Sequence, residues 1–205
     1  MVGQRHPEET RERLLEAALA AFAESGYSAT GVAEICQRAG VTKGAFYYHF
    51  PSKLAVFLEL LHRWLADLDT QLAAARQGAA SVPEQFRRMA AMFRQVLQTA
   101  NGTLPFFIEF MVEARRDPAV WQATIAPYRQ YCAAFAGLIA QGVAEGSLRT
   151  DDPETMGRVI VSLAVGLLLQ ALIEPEGVKW GQVAEDGIGS LLRGMSADGG
   201  RPCVD

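Results

Sequence analysis

The chain has 205 residues, half of them hydrophobic, with 19 basic and 23 acidic side chains and a formal net charge of −4. This apolar content is enough for a sizeable core, and no run of about 18 apolar residues lacks a charge, so no transmembrane span is predicted. The polar N-terminus argues against a secretory signal, and three scattered cysteines argue against a disulfide framework or a zinc site. A reducing cytoplasm is therefore the expected location.

Apolar residues recur every three or four positions from residue 10 to residue 193, and no clear alternating pattern of strand type is present. This periodicity predicts an all-α fold. A first helix is expected at about residues 9–24, and its inward-facing residues should be Leu14, Leu15, Ala18, Leu19 and Phe22.

Residues 30–53 predict two short helices around a turn and the start of another helix. Thr30 is expected to cap the first of these helices, and Gly40 to end it in a left-handed conformation. Thr42 can cap the second helix, in which Phe46 and Phe50 are four apart and face inward. The second helix is otherwise basic, small or aromatic, which is typical of a helix-turn-helix that reads the DNA major groove.

Positive charge is local to this motif. Residues 1–53 contain six basic and six acidic side chains, whereas residues 30–53 contain three basic residues and one acidic residue. The remainder of the chain therefore carries the whole net charge of −4. We expect a small DNA contact in each subunit, so that two copies on one operator are needed for useful affinity.

The segment at residues 30–53, together with its neighbours in the chain, closely resembles the N-terminal domain of the TetR family of one-component transcriptional repressors. The resemblance covers about residues 10–60 and is carried by several segments together, namely residues 20–27, 32–35, 39–44, 46–50 and 51–54. It implies a three-helix DNA-binding domain followed by a helical effector-binding and dimerisation bundle. It also implies a set of DNA-contacting residues: Thr30, Thr42, Lys43, Gly44, Ala45, Tyr47, Tyr48, His49 and Lys53.

The residue types in this set suit contact with DNA. Lys43 and Lys53 can neutralise phosphates, and the Tyr47 hydroxyl can donate to one. Gly44 and Ala45 are small enough for the backbone to lie against base edges, where an alanine methyl can touch a thymine methyl. The alternative for both lysines is an ordinary solvated surface position.

After Ser52 a long helix is expected at about residues 53–75. Further helices are predicted up to about residue 100 and at about residues 105–116, 119–142, 154–173 and 180–192. Residue types suited to caps precede three of them, in Ser81-Val82-Pro83-Glu84, Asp117-Pro118 and Asp152-Pro153-Glu154. Pro127 should kink or divide the helix at 119–142.

The helix at 154–173 is apolar on nearly all sides, so it must be buried on nearly all sides, which suggests a partner subunit. By position in the family, the helices at about 119–142 and 154–173 would form a four-helix homodimer interface. The alternative is that they are only the core of the C-terminal domain. The expected organisation is a DNA-binding domain at 1–53, an effector-binding and dimerisation domain at 54–195, and a disordered tail at 196–205.

By position in the family, an effector pocket is expected among the middle helices, and pockets in helical bundles are built from apolar and aromatic side chains. The candidate lining residues are Trp64, Phe93, Phe107, Phe110, Met111 and Tyr128, and for residues of this type the alternative is ordinary core. Glu109 and Glu113 share a helix face, where ion pairs with the nearby Arg115 and Arg116 are expected, or else recognition of a cationic compound. No cofactor or metal site is predicted.

These features predict a ligand-responsive transcriptional regulator. The expected mode of action is repression by a homodimer on a palindromic operator, with release by a small apolar or amphipathic effector. Two alternatives stay open, namely a DNA-binding regulator without a small-molecule effector and activation in place of repression. An enzyme is not expected, because no catalytic constellation accompanies the motif.

Overall fold

The computed structural model describes residues 7–100 and 104–196. Most of these residues lie in ten helices: α1 (Pro7–Ser25), α2 (Val32–Ala39), α3 (Lys43–His49), α4 (Lys53–Arg76), α5 (Val82–Ala91), α6 (Phe93–Ala100), α7 (Leu104–Ala114), α8 (Pro118–Ala144), α9 (Pro153–Ile173) and α10 (Trp180–Gly194). No strand forms among the described residues, where Leu148 and Ser196 make an isolated bridge. The all-α prediction is confirmed. Of the predicted disordered tail, residues 197–205 lie outside the described residues.

The helix starts follow capping residues that are visible in the sequence. Thr42 Oγ1 accepts from the Ala45 amide at 3.2 Å, and Ser52 Oγ accepts from Ala55 at 3.1 Å. Asp152 Oδ1 accepts from the Thr155 amide at 2.9 Å. Each side chain satisfies one of the amides that has no partner within its helix, which fixes where the helix begins.

Two features of the predicted helices need correction. The helix expected up to residue 100 is interrupted at Met92, because α5 packs Phe86 into one apolar cluster while α6 packs Phe93 into another. The helix expected at 119–142 continues past Pro127 in α8, so of the two expected effects of this proline the division of the helix is wrong, and a kink stays a prediction. A proline removes one amide donor without ending every helix that contains it.

The described residues group into two compact units. The first comprises those within 1–67 and 101–124, and its core includes Leu14, Phe22, Ile35, Phe46 and Phe57. The second comprises those within 68–100 and 125–205. Its larger apolar cluster includes Val82, Phe86, Ile139, Ile160 and Leu192.

Helix α9 is apolar on nearly all sides but is buried on only part of its surface. By length and composition it could cross a membrane, a criterion that core helices of soluble proteins also meet, and 28% of its most apolar window is buried. Val159, Val165, Leu169 and Ile173 are exposed, and Ile173 is 82% exposed. These residues follow one another at intervals of six, four and four along one side of the helix.

Candidate nucleic-acid interface

The turn between α2 and α3 is set by two residues of the motif. Gly40 has φ of 63°, in the left-handed region where a side chain is strained, and it ends α2 as predicted. Thr42 then caps α3. Phe46 is buried in α3, and Phe50, at the C-cap, is buried as well. The inner side of α3 is therefore fixed to the core of its unit.

The outer side of α3 presents the residues expected to meet DNA. Tyr47 is 55% exposed and Tyr48 is 78% exposed. We call the exposed residues of this surface the reading face: Thr42, Lys43, Gly44, Tyr47 and Tyr48. Ala45 and His49 lie half-buried at its edge. Seven of the nine predicted contact residues thus lie on or beside one surface.

Gly44 leaves the reading face open at its centre. A Cβ added there would meet only Thr42 Oγ1, at 3.7 Å. Nothing near Gly44 therefore requires glycine in the unbound protein. Its lack of a side chain instead lets a groove approach the backbone closely.

Most cations near the reading face are bound to groups of the protein itself. Arg38 pairs with Glu24 at 2.7 Å and with Glu34 at 2.9 Å. Its hydrogen bond to Glu24 lowers the pKa of that carboxyl below the ordinary value. Arg13 donates to the carbonyl oxygen of Ala39. Lys43, by contrast, forms no ion pair with any residue in 7–100 or 104–196. Its exposed ammonium is therefore available to a phosphate.

Thr30 has a different role from the one predicted. Its side chain is 1% exposed, and its hydroxyl donates to the carbonyl oxygens of Gly26 at 2.7 Å and Ala21 at 3.1 Å. The N-cap of α2 is Gly31, which makes no side-chain cap. The prediction that Thr30 caps α2 is wrong, because its hydroxyl bonds to the end of α1. We leave Thr30 out of the proposed DNA contacts.

Lys53 also turns inward. Its Nζ donates to the carbonyl oxygens of Tyr27 at 2.7 Å and Thr30 at 2.8 Å, and lies 4.3 Å from the centre of the Tyr27 ring. The ammonium holds the loop between α1 and α2. These bonds use its donors within the protein, so we assign Lys53 a structural role, and its expected phosphate contact stays a prediction.

Glu109 is a residue whose role the sequence did not indicate. Its Oε2 accepts from the Tyr27 amide and its Oε1 from the Ser28 amide, each at 2.9 Å. The bond from the Ser28 amide is the main reason that the pKa of Glu109 is below its ordinary value. These bonds occupy the carboxylate of Glu109, for which the sequence predicts ion pairs with Arg115 and Arg116. The side chain of Glu113 lies outside the described residues.

The six candidate effector-lining residues do not assemble within one unit. Phe110 is 2% exposed and stacks on Phe57 with ring centres 3.7 Å apart, and Trp64 and Phe107 pack around the same cluster. Met111 is half-buried in that unit. In the second unit Phe93 is buried in a separate small cluster, and Tyr128 is 42% exposed. Residues 7–100 and 104–196 contain no group of three acidic, histidine or cysteine residues placed to hold a metal.

An open groove of about 690 Å³ lies between α9 and α10 in the second unit. Apolar residues of α9 line it together with Gly187, Ser190 and Gly194 of α10. Val159 lines the groove and also belongs to the exposed apolar face of α9. Small residues on α10 allow another helix to approach closely.

Comparison with known sequences places both parts of the chain among transcriptional regulators. A family model described as bacterial regulatory proteins, tetR family, matches residues 14–60, and a model for the C-terminal part of BetI-type transcriptional repressors matches residues 84–193. The chain is 30% identical over 166 residues to the HTH-type transcriptional repressor DhaR of Mycobacterium sp. (strain GP1), covering 80% of this chain and 83% of that protein. It is 26% identical over 180 residues to the HTH-type transcriptional regulator CymR of Pseudomonas putida, covering 85% of each.

Solved structures have the same fold. A TetR-family transcriptional regulator from Streptomyces coelicolor is 26% identical with a TM-score of 0.77, covering 92% of this chain and 97% of that one. A transcriptional regulator from Saccharomonospora viridis in complex with choline is 21% identical with a TM-score of 0.73, covering 90% of this chain and 96% of that one. At such low identity, the second likeness concerns the fold alone.

Proposed function

Because the chain belongs to the TetR family of transcriptional regulators, we propose that it represses transcription as a homodimer bound to a palindromic operator and is released by a small effector. The observation that carries the proposal is the reading face, where Lys43 and two exposed tyrosines surround a glycine with open space above it. A helix of this composition fits the major groove. The cytoplasm, where DNA is accessible, is the proposed location.

Each residue of the reading face has a proposed partner on DNA. Lys43 neutralises a phosphate, and Thr42 and Tyr47 donate to the backbone of the same strand. Tyr48 and His49 reach the flanking phosphates, while Gly44 and Ala45 lie against base edges. Two such faces in a dimer would meet half-sites about 34 Å apart, one turn of the duplex, or somewhat more.

For the homodimer we propose α9 and α10 as the interface, rather than the pair at 119–142 and 154–173 that family position suggested. The support is the exposed apolar face of α9, together with exposed Val183 and the small residues of α10. Pairing these faces between two copies would remove several large apolar side chains from water. Helix α8 also exposes Tyr128 and Val143, so the alternative interface is the one formed by α8 and α9, the pair that family position suggested.

The effector is proposed to act on the C-terminal part of the chain, with the functional division at residue 53. The six predicted lining residues remain candidates for contact with it. The match to BetI-type repressors over residues 84–193 supports a sensing role for this part. The choline complex of the Saccharomonospora viridis regulator makes choline a reasonable first probe beside apolar compounds.

Selection of bound duplexes from a random DNA pool tests the proposal directly. We expect enrichment of a palindromic motif, and loss of that enrichment in a Tyr48→Ala variant that unfolds at the same temperature as the wild type. Failure of the wild-type protein to enrich any motif would contradict operator binding. An enriched motif without a repeat would contradict the dimer.

Matched arginine substitutions test the dimer interface. Leu169→Arg on α9 and Val183→Arg on α10 should convert a dimer to a monomer, as measured by sedimentation. Val143→Arg on α8, at a position 38% exposed against 37% for Leu169, should leave the dimer intact. The opposite outcome, with only Val143→Arg dissociating the dimer, would favour an interface that uses α8.

Thermal unfolding with choline and a panel of apolar compounds distinguishes a ligand-responsive regulator from one without a small-molecule effector. A ligand that binds only the native state raises stability by mass action. A compound that raises the midpoint and also releases the operator supports the sensor. If no member of the panel does either, control by a protein partner or by abundance becomes the better explanation.

A further inference from the structure

The loop between α1 and α2 is held from two sides by charged groups. Glu109 of α7 accepts from the amides of Tyr27 and Ser28, and Lys53 of α4 donates to the carbonyl oxygens of Tyr27 and Thr30. The carboxylate thus accepts from backbone amides, and the ammonium donates to backbone carbonyl oxygens, of the same short loop. We call these six hydrogen-bonding groups the loop clamp.

Glu109 fits the loop closely. Each carboxylate oxygen receives one amide at 2.9 Å, so both acceptors are used. Gly26 has φ of +81°, a conformation that favours glycine, and a Cβ there would displace the carboxylate of Glu109 from its present position. This complementarity distinguishes the contact from an incidental surface hydrogen bond.

Apolar contacts from the next residue of α7 reinforce the polar ones. The ring of Phe110 meets Tyr27 edge-on with centres 4.9 Å apart and stacks on Phe57 at 3.7 Å. Two successive residues of α7 therefore hold the same loop, one by charge and one by packing. The loop in turn joins α1 to the helix-turn-helix.

Helix α7 leads along the chain to the second unit. Helix α8 begins four residues after α7 ends, and its residues belong to the first unit up to Thr124 and to the second from Ile125. The chain thus connects α7, which carries Glu109, to the second unit through α8.

We propose that Glu109 is a positioning residue that fixes the helix-turn-helix to α7 and thereby sets the separation of the two reading faces in the dimer. The proposal rests on the dimeric operator binding proposed above. Movement of α7 would carry the α1–α2 loop with it through the clamp, and loss of the carboxylate would let the reading face move independently. A glutamine at this position keeps the shape but can accept only one of the two amides, because its other terminal group is a donor.

Amide hydrogen exchange followed by NMR tests the clamp in the free protein. In Glu109→Gln the Tyr27 and Ser28 amides should exchange at least about tenfold faster than in the wild type, because hydrogen bonds to a charged group are the stronger kind. Glu109→Ala should give a larger increase at the same two amides. Glu176→Gln, a loss of one exposed carboxylate in the loop after α9, should leave both rates unchanged.

Operator spacing tests the positioning role. With an operator selected from a random pool, insertion or deletion of one base pair between the half-sites should weaken wild-type binding sharply. The factor by which the same change weakens binding should be at least about threefold smaller for the Glu109→Gln variant than for the wild type. General destabilisation would lower the affinity for every spacing alike, so it cannot mimic this result.

The outcomes are separable. Unchanged exchange at Tyr27 and Ser28 would refute the clamp, and faster exchange with a wild-type spacing penalty would refute the positioning role. If the wild-type protein selects no motif or shows no dependence on spacing, the proposed dimeric reader fails, and the positioning role fails with it. In that case the exchange rates still decide whether Glu109 holds the loop.

Discussion

A methyl group added at Gly157 should separate α9 from α8. Gly157 is buried, and a Cβ there would lie 2.6 Å from the backbone nitrogen of Ala136 and 2.8 Å from the carbonyl oxygen of Cys132. Ordinary contact begins at 3.4 Å, so the nearest atom is roughly 0.8 Å too close in a tightly packed interior. Both contacts are with backbone, which cannot rotate away as a side chain can. The helices themselves must move.

Two opposing effects set the magnitude of Gly157→Ala. Alanine is favoured over glycine inside a helix by about 1 kcal/mol. Overpacking typically costs about 1–3 kcal/mol, and the backbone contacts place this site at the upper end. We expect a net loss of about 1–2 kcal/mol in the free energy of unfolding. For a chain of this size that corresponds to a midpoint lower by about 2–8 °C.

Gly137 on α8 provides the matched control. A Cβ there would meet no atom within 4 Å, so Gly137→Ala should gain only the helix preference, a rise of about 1–4 °C. Thermal unfolding followed by circular dichroism at equal protein concentrations measures both. A Gly157→Ala protein as stable as Gly137→Ala would refute the close approach of the two helices.

Three further outcomes follow from the charged groups. Lys43→Ala should lower the slope of log affinity against log salt for the operator by about one unit. Lys179→Ala should leave this slope unchanged. Equal slopes in the wild type, Lys43→Ala and Lys179→Ala would remove Lys43 from the phosphate contacts. Lys53→Met should instead lower the free energy of unfolding by about 1–3 kcal/mol through its lost bonds to carbonyl oxygens, with the salt slope unchanged; a reduced slope would return Lys53 to the DNA contacts. Because the pKa of Glu109 is lowered in the folded protein, its carboxylate stabilises the fold above its unfolded pKa, and this contribution is lost as pH falls through the folded value. The difference in unfolding free energy between wild type and Glu109→Gln should therefore shrink below about pH 4, and a difference that widens on acidification would contradict the contact.

The comparisons confirm the class of protein that the sequence indicated. The TetR-type regulator, its DNA-binding character and its distinction from an enzyme all agree with the matched families and relatives. The evidence for that class lay in a local motif whose turn, caps and aromatic spacing are set by near neighbours in the chain. The DNA-contact set, the effector pocket and the domain boundary at residue 53 stay predictions.

The sequence by itself determined most of the helices and which side of α3 is exposed. Helix periodicity and caps such as Thr42 and Asp152 act over three or four residues, so they can be identified without knowledge of the fold. The inward direction of Phe46 and the outward direction of Tyr48 follow from the same short spacing. Exposure of the reading face was therefore predictable in outline.

Only the tertiary structure decided which polar groups are available for binding. Lys53 meets a carbonyl 26 residues away and Glu109 meets amides 81 and 82 residues away, and backbone partners of this kind have no signature in side-chain identity. Thr30 likewise bonds back to α1 rather than forward to α2. A lysine or glutamate looks the same in the sequence whether it faces water or a loop. The difference arises from which distant segment packs beside it, because a buried or partly buried charge is stable only where such partners are supplied.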